Sequence, residues 1–294
     1  MHEAAFKIRK EFKENDDIRD AGLTTPQNVE RFDDICYGSD TKWQLLDVYR
    51  PKNRQGEQLP VIISFHGGGW AYGDKERYQF YCMSLVKHGF AVINYTYRLA
   101  PEFVYPAPLE DTNLVVAWTL EHAKEFGFDT NHIFMAGDSA GAQGLALYAA
   151  ICTNPDYAKE YKFKVPQGFV PKAVALNCGL AAVRMEEGEL VSELMESYLP
   201  EKGTGRELEL MSPILHITKN YPPTFVMTAE GDFLRDEAPK IVERLTECDV
   251  MTCYRFYKWS EKPLGHVFHC DMRLDMAEKC NADECEFFKE FLLS

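Results

Sequence analysis

Positive charge is scarce in this chain of 294 residues, which carries 32 Lys and Arg against 46 Asp and Glu and a net charge of −14. An acidic surface repels polyanions, which disfavours nucleic acid and anionic membranes as partners. Long apolar runs are also missing, since no window reaches the roughly 18 uninterrupted apolar residues of a membrane span. The first residues contain no apolar stretch of the signal-peptide type, so we expect neither a membrane anchor nor a signal peptide.

Paired cysteine spacing is absent as well. The nine cysteines are an odd number and form no C-x-x-C motif. This disfavours a disulfide framework or a zinc site, and we expect reduced thiols, no metal, no cofactor and a cytoplasmic location. Cys178 and Cys270 are candidates for positions near an active site, but neither has a sequence feature of a nucleophile.

No internal repeat, low-complexity tract or Pro/Ser-rich linker divides the chain. Strand and helix patterns alternate through its middle, which favours a single α/β domain over residues 1–294, with a mostly parallel sheet covered by helices on both faces. The predicted strands are Leu59–Phe65, Ile133–Ala136, Thr224–Ala229 and Thr252–Tyr257. The predicted helices are Lys75–His88, Leu109–Glu125, Gly141–Cys152, Leu234–Glu247 and Asp271–Leu293.

The most informative motif is a serine between two glycines, in Gly137-Asp138-Ser139-Ala140-Gly141. It follows the predicted strand Ile133–Ala136 and precedes an Ala/Leu-rich helix, and strand, sharp turn and helix form the nucleophile elbow of serine hydrolases. The motif therefore makes Ser139 the candidate nucleophile.

A glycine-rich loop, His66-Gly67-Gly68-Gly69-Trp70, follows the predicted strand Leu59–Phe65. Such a loop exposes backbone N–H groups that can stabilise the oxyanion of acyl transfer, and the residue after the nucleophile, Ala140, can supply a further donor. A flexible turn or a phosphate-binding loop is the alternative, but no GK[ST] or GxGxxG pattern follows.

A serine nucleophile needs a base, and three histidines lie downstream of Ser139. His216 precedes a strand, where a structural role is favoured. His266 follows the loop signal Pro263–Gly265, and we prefer it as the base, with His269 as the alternative.

The acid that orients the base is expected after the strand Thr224–Ala229. Asp232 is the first choice, with Glu230 and Asp236 as alternatives. Asp236 is expected in the first turn of a helix that begins near Leu234, where a carboxylate suits the helix dipole.

Five blocks in this order resemble the hormone-sensitive-lipase-like esterases of the α/β-hydrolase fold, from about Leu46 to the C-terminus. They are His66–Trp70, Tyr97–Glu102, Tyr105–Asp111, Gly137–Gly141 and Gly231–Asp236. The resemblance implies a central sheet with helices on both faces and a small helical cap.

Carried over to this chain, the resemblance implies a catalytic triad and an oxyanion hole. The implied triad is Ser139, Asp232 and His266, and the implied oxyanion hole consists of the N–H groups of Gly68, Gly69 and Ala140. His66 is expected to support the glycine loop without touching the reacting atoms. Two blocks depart from the usual pattern: His266-Val267-Phe268 replaces His-Gly-Phe, and Asp232-Phe233-Leu234 replaces Asp-Pro-Leu.

Two segments do not follow the alternation of strands and helices, and both are candidates for the cap. The first is residues 1–31, expected to be helical, and the second is residues 180–223, with a helix expected over Leu190–Leu199. Residues of the second segment either face an acyl group or pack the helix onto the domain: Met185, Leu190, Leu194, Met195 and Tyr198. A third segment, Asn154–Pro171, is expected to be a solvated surface loop.

The leading hypothesis is a metal-free serine carboxylesterase for short acyl esters, acetyl esters included, acting on a small-molecule substrate. The alternatives are an amide hydrolase, resembling kynurenine formamidases or a small peptidase, and a non-catalytic receptor for a small ligand on the same fold. For the oligomeric state, a homodimer stands as an alternative to a monomer. Because free imidazole has a pKa of about 6.5 and the base must be neutral, activity is expected to fall below about pH 6.

Overall fold

Eight strands form one sheet in the order β1-β2-β4-β3-β5-β6-β7-β8 in the computed structural model, which describes residues 2–292. Strand β2 pairs antiparallel with β1 and with β4, and the other five pairs, from β4 to β8 in this order, are all parallel. The predicted α/β class with a mostly parallel sheet is confirmed. The strands are β1 (Val29–Cys36), β2 (Leu45–Pro51), β3 (Leu59–Phe65), β4 (Ala91–Tyr95), β5 (Phe128–Asp138), β6 (Val174–Asn177), β7 (Thr224–Ala229) and β8 (Thr252–Tyr257).

The central strands are buried on both faces, as parallel strands covered by helices require. In β3, for example, Ile62 and Ile63 point to opposite faces and both are fully buried. The helices are α1 (Glu3–Asp20), α2 (Lys75–Val86), α3 (Ala107–Glu121), α4 (Ala123–Phe126), α5 (Ala140–Thr153), α6 (Pro155–Ala158), α7 (Leu190–Tyr198), α8 (Gly205–Leu210), α9 (Ala238–Glu247) and α10 (Asp275–Lys289). None of the helices described between residues 2 and 292 has the length and apolar content needed to cross a bilayer.

Parallel pairing brings the carboxyl ends of β3, β5 and β7 to one edge of the sheet. Phe65 at the end of β3 pairs with Gly137 of β5, which places the glycine loop beside the serine turn. Functional groups of open α/β sheets lie outside this edge, because the loops after the strands converge there.

The helix predicted over Leu234–Glu247 begins only at Ala238, and Asp236 lies outside it. The backbone N–H of Leu234 donates to the carboxylate of Asp232, and that of Arg235 donates to its carbonyl, so these residues form a turn. The expectation that Asp236 occupies the first turn of the helix is therefore wrong.

The last helix begins at Asp275, later than the predicted Asp271. A short 3-10 helix, Phe268–Cys270, comes first, and the carboxylate of Asp271 accepts the N–H of Arg273 in the following turn. The predicted end at Leu293 lies outside the described residues.

Residues 1–31 were expected to be helical, but only α1 is, and its segment ends in a strand. Gly22 follows the helix with a φ of +79°, and β1 then begins at Val29 and pairs with β2. Cross-strand pairing, which the charged sequence does not reveal, determines this change.

The prediction of a solvated surface loop over Asn154–Pro171 is wrong for the first part of that segment. Tyr157 and Tyr161 are buried, and the hydroxyl of Tyr157 donates to the carbonyl of Leu210. The burial of these rings depends on residues distant in sequence, which the segment itself does not reveal.

Candidate active site

Ser139 occupies the turn between β5 and α5 with φ 51° and ψ −119°, a backbone conformation that is uncommon for a residue with a side chain. Neither flanking glycine tolerates a larger residue. A Cβ on Gly141 would lie 2.1 Å from the carbonyl oxygen of Phe65, and one on Gly137 would lie 2.7 Å from that of Gly141. The serine N–H donates to the carbonyl of Asn177 at 2.8 Å, and the side chain lines a cavity at the sheet edge.

His266 connects Ser139 to Asp232. Its Nε2 lies 2.8 Å from Oγ of Ser139, and its Nδ1 lies 2.6 Å from Oδ1 of Asp232. With Nδ1 protonated, the ring donates to the carboxylate and presents an unprotonated Nε2 to the hydroxyl. This arrangement can move the serine proton to the imidazole.

Asp232 is buried and held by several donors. Its Oδ2 accepts the hydroxyl of Thr228 at 2.7 Å, and its Oδ1 accepts the N–H of Leu234 at 2.9 Å. Burial favours the neutral carboxyl group, but the hydrogen bond and charge of His266, together with these donors, hold the pKa of Asp232 below its usual range. The carboxylate therefore stays ionised beside the imidazole. Sequence reasoning missed Thr228, which lies within the predicted strand.

The glycine loop faces the same cavity. Gly68 has a φ of +113°, and a Cβ there would lie 2.1 Å from the carbonyl oxygen of Tyr72. In the described part of the chain, the N–H groups of Gly68 and Gly69 donate to no protein acceptor. Ala140 is the first residue of α5, so its N–H has no acceptor within the helix. Three unused donors thus lie around the serine turn.

His66 is fully buried behind the loop. Its Nδ1 donates to the carbonyl of Gly67 at 2.7 Å, and its ring stacks on Tyr97 with centroids 4.0 Å apart. Burial lowers its pKa to about 4, so the ring is neutral. These contacts are those of a residue that supports the loop.

Asp138 joins the serine turn to the glycine loop, a role that sequence reasoning missed. Its carboxylate accepts the N–H of Gly67 at 3.1 Å and the hydroxyl of Tyr78 at 2.8 Å. Burial raises the pKa of Asp138 to about 6. Only its place in the serine motif could have signalled it.

The alternative histidines lie away from Ser139. His269 is fully buried with its ring edge on Tyr81, and burial lowers its pKa to about 3. His216 bonds the carbonyl of Glu209 through Nε2 at 2.8 Å and stacks on Tyr157.

The alternative acids also lie apart from His266. Asp236 is exposed on the turn before α9 and pairs with Arg235 at 3.6 Å. Glu230 accepts the N–H of Trp259 at 3.1 Å. Of the three candidate carboxylates, the structure brings only Asp232 to the histidine.

All nine cysteines are free. Cys178 lies beside the site, and its Sγ is within 4.8 Å of ligand atoms of Asp232 and His266, a set that could hold a metal ion. The Asp232–His266 hydrogen bond already joins two of these groups, which suits proton transfer. Cys270 is buried next to His269 and contacts its ring at 3.6 Å.

A cavity of about 570 Å³ opens above Ser139 and His266. Helices α1 and α7, from the two segments expected to form a cap, contribute side chains to its walls. Of the five residues considered for an acyl contact, Leu190 and Leu194 line this cavity. Met195 and Tyr198 instead pack in the core, and Met185 lies against the core edge near Gly203.

The sequence is similar to one family model and to proteins that are named as esterases. The family model described as BD-FAE matches residues 46–236. A versiconal hemiacetal acetate esterase from Dothistroma septosporum is 30% identical over 224 residues, covering 71% of this chain and 67% of that protein. Esterase LipC from Mycobacterium tuberculosis is 29% identical over 222 residues, covering 72% of this chain and 54% of that protein.

Two solved esterase structures superpose on nearly the whole of this chain. Esterase B from Lactobacillus rhamnosis superposes with a TM-score of 0.87 at 22% identity, covering 98% of this chain and 95% of that one. An esterase from Pyrobaculum calidifontis gives a TM-score of 0.79 at 25% identity, covering 99% and 94% of the two chains.

Proposed function

The chain belongs to the hormone-sensitive-lipase-like esterase family of the α/β-hydrolase fold, and from this premise we propose that it is a serine carboxylesterase. The observation that carries the proposal is the hydrogen-bonded series Ser139–His266–Asp232 beneath a cavity, with joining distances of 2.8 and 2.6 Å. Such a series turns a weakly nucleophilic hydroxyl into an effective nucleophile.

In the acylation step, Oγ of Ser139 attacks the ester carbonyl while Nε2 of His266 takes its proton. The carbonyl oxygen becomes an oxyanion, which the N–H groups of Gly68, Gly69 and Ala140 stabilise. Each well-placed donor of this kind contributes about 3 kcal/mol to transition-state stabilisation. Asp232 holds the Nδ1–H tautomer and stabilises the imidazolium.

Collapse of the tetrahedral intermediate breaks the bond to the alcohol oxygen, which takes the proton from Nε2 of His266. Water then gives a proton to the same nitrogen and attacks the acyl carbonyl. The bond between the acyl carbon and Oγ breaks, the acid leaves, and Oγ takes the proton back from Nε2, which restores Ser139 and His266. No metal or cofactor takes part in this sequence.

We assign short acyl chains to the site, acetyl included, and the name of the versiconal hemiacetal acetate esterase, which is 30% identical to this chain, supports an acetyl ester. Phe12 from α1, Leu194 from α7 and Leu180 line the cavity. The two helices act as the cap. Nine free thiols suit a reducing cytoplasm.

The proposal is tested by hydrolysis of p-nitrophenyl esters from acetate to dodecanoate, beside formyl-amide and aminoacyl anilide substrates. We expect turnover of short esters that Ser139→Ala abolishes. Ser84→Ala is the matched control, since its hydroxyl bonds the Tyr81 carbonyl within α2. Amide turnover with negligible ester turnover would indicate an amide hydrolase, and no turnover would favour a ligand receptor.

A further inference from the structure

Phe233 is a large aromatic residue left open to solvent next to the candidate base. It follows Asp232 on the turn before α9, and 67% of its surface is exposed. Its ring centroid lies 4.3 Å from that of His266 at an interplanar angle of 47°. The ring also lines the cavity. One part of the ring thus contacts His266, and much of the remainder is available to a ligand.

The proposed reaction determines which part of an ester passes this ring. The leaving alcohol oxygen must come within hydrogen-bond distance of Nε2 of His266 to receive its proton. The carbonyl oxygen points instead toward Gly68 and Gly69. The alcohol portion therefore extends along the His266 side of the cavity, where Phe233 lies.

The surroundings of Phe233 are mainly apolar. Pro263 and Leu264, on the loop before His266, line the same cavity, and so does Leu190 of α7, which is 38% exposed. Charged residues of both signs line the wider cavity, with Lys262 and Arg19 against Asp16 and Asp271, so the lining has no single sign that would select a charged alcohol. A neutral ring matches this surface, because aromatic pairs gain from offset or edge contacts beyond simple burial.

We propose that Phe233 forms a subsite for an aromatic ring in the alcohol portion of the substrate, so that the enzyme favours esters of arylalkyl alcohols. This inference rests on the proposed esterase function and deepens it. Phe233 determines specificity and takes no part in proton transfer.

The test compares kcat/KM for benzyl, cyclohexylmethyl and ethyl acetate in the wild type and in Phe233→Ala. All three substrates form the same acetyl-enzyme, so deacylation is common to them and differences arise from binding and acylation. We expect the variant to lose about tenfold for benzyl acetate, which corresponds to one contact of about 1.4 kcal/mol. The losses for cyclohexylmethyl and ethyl acetate should stay below about threefold.

Two further variants isolate the ring. Phe233→Trp, which keeps an aromatic surface, should retain the preference for benzyl acetate, and Phe233→Leu should lose it. Phe256→Ala is the matched control, because Phe256 is 42% exposed on β8 and does not line the cavity. It should leave all three values unchanged.

Equal losses for all three acetates would overturn the subsite and assign Phe233 to shielding His266. Equal losses for the benzyl and cyclohexylmethyl esters alone would overturn the aromatic character of the subsite. Failure of the underlying function has a different signature. In that case the wild type would hydrolyse none of the acetates, or Ser139→Ala would hydrolyse them as well as the wild type.

Discussion

Gly231 and Gly265 form an isolated parallel bridge between the loop that carries Asp232 and the loop that carries His266. The N–H of Gly231 donates to the carbonyl of Leu264 at 2.9 Å. Each glycine directly precedes one member of the hydrogen-bonded pair Asp232–His266. The bridge therefore sets the separation of the two loops, and with it the 2.6 Å contact between Asp232 and His266.

The two glycines differ in the space around them, which gives a matched pair of variants. A Cβ on Gly231 would lie 2.7 Å from the carbonyl oxygen of Leu264, whereas one on Gly265 meets nothing within 4 Å. Gly231→Ala must push the loops apart, and we expect kcat/KM for p-nitrophenyl acetate to fall about a hundredfold. Gly265→Ala should keep most of the activity. Similar losses in both variants would contradict a role for the bridge in spacing the loops.

Asp138 should matter for catalysis through the position of the glycine loop. Asp138→Ala removes one acceptor of the Gly67 N–H, and it leaves the other, the Tyr78 hydroxyl at 3.0 Å, without the carboxylate that holds it. The donors of Gly68 and Gly69 then lose their alignment, and kcat should fall about a hundredfold with a small change in KM. Asp138→Asn keeps an acceptor for Gly67 and reverses the bond with Tyr78, so it should lose less than about tenfold. If Asn were as damaging as Ala, the charge of Asp138 would matter, and not its hydrogen bonds.

Activity should decline in acid as a single proton is bound. Burial opposes ionisation of Asp232, but its hydrogen bond with His266 lowers its pKa, so the carboxylate stays ionised in mild acid and the proton that stops catalysis is the one bound by the base. Log kcat/KM should therefore fall with unit slope below about pH 6. Asp138, whose pKa burial raises to about 6, titrates in the same range. Asp138→Asn should show the same fall of log kcat/KM in acid. If this fall is absent in the variant, it is caused by protonation of Asp138.

The contribution of Glu284 to stability should fall as pH rises. The Glu284 side chain is fully buried, accepting the hydroxyl of Tyr81 and the amide of Asn177, and burial raises its pKa from 4.5 to about 7. The folded state thus binds this proton more tightly, so its contribution is fully present below about pH 4.5 and is lost as pH rises through 7. The loss is on the order of 3 kcal/mol of unfolding free energy.

Urea unfolding at about pH 5 and about pH 8 measures this contribution. Glu284→Gln should change the difference in unfolding free energy between the two pH values by roughly the Glu284 contribution, because the contributions of Asp138, His66 and His269 are common to both proteins. Glu286→Gln, on the exposed face of the same helix, is the control and should retain the wild-type difference. An identical pH dependence in the wild type and Glu284→Gln would show that Glu284 is ionised in the folded state throughout.

Local motifs predicted the parts of the site that depend on local backbone geometry. The serine turn and the glycine loop require glycine at fixed positions, so Ser139 and Gly68 could be identified from the sequence. Chain order and loop signals favoured His266 over His269, and the structure places His266 beside Ser139. The parallel sheet was predictable because apolar strands alternate with helices.

Long-range contacts could not be predicted in this way. The bonds of Asp138 to Gly67 and Tyr78 join residues that are 71 and 60 positions apart. The turn before α9 depends on the carboxylate of Asp232, which is also bonded to His266, 34 positions away. The burial of Tyr157 depends on the carbonyl of Leu210, 53 positions away. Composition and periodicity carry no information on such partners.

The central claim is that Ser139 forms a covalent intermediate with the help of His266, and labelling with a p-nitrophenyl alkylphosphonate tests it most directly. We expect one phosphonyl group per chain, located by peptide mass spectrometry on the peptide that contains Ser139. Loss of ester hydrolysis should parallel labelling, which should be absent in Ser139→Ala and much slower in His266→Ala. Label on another residue, or ester hydrolysis that persists in the fully labelled protein, would contradict the account.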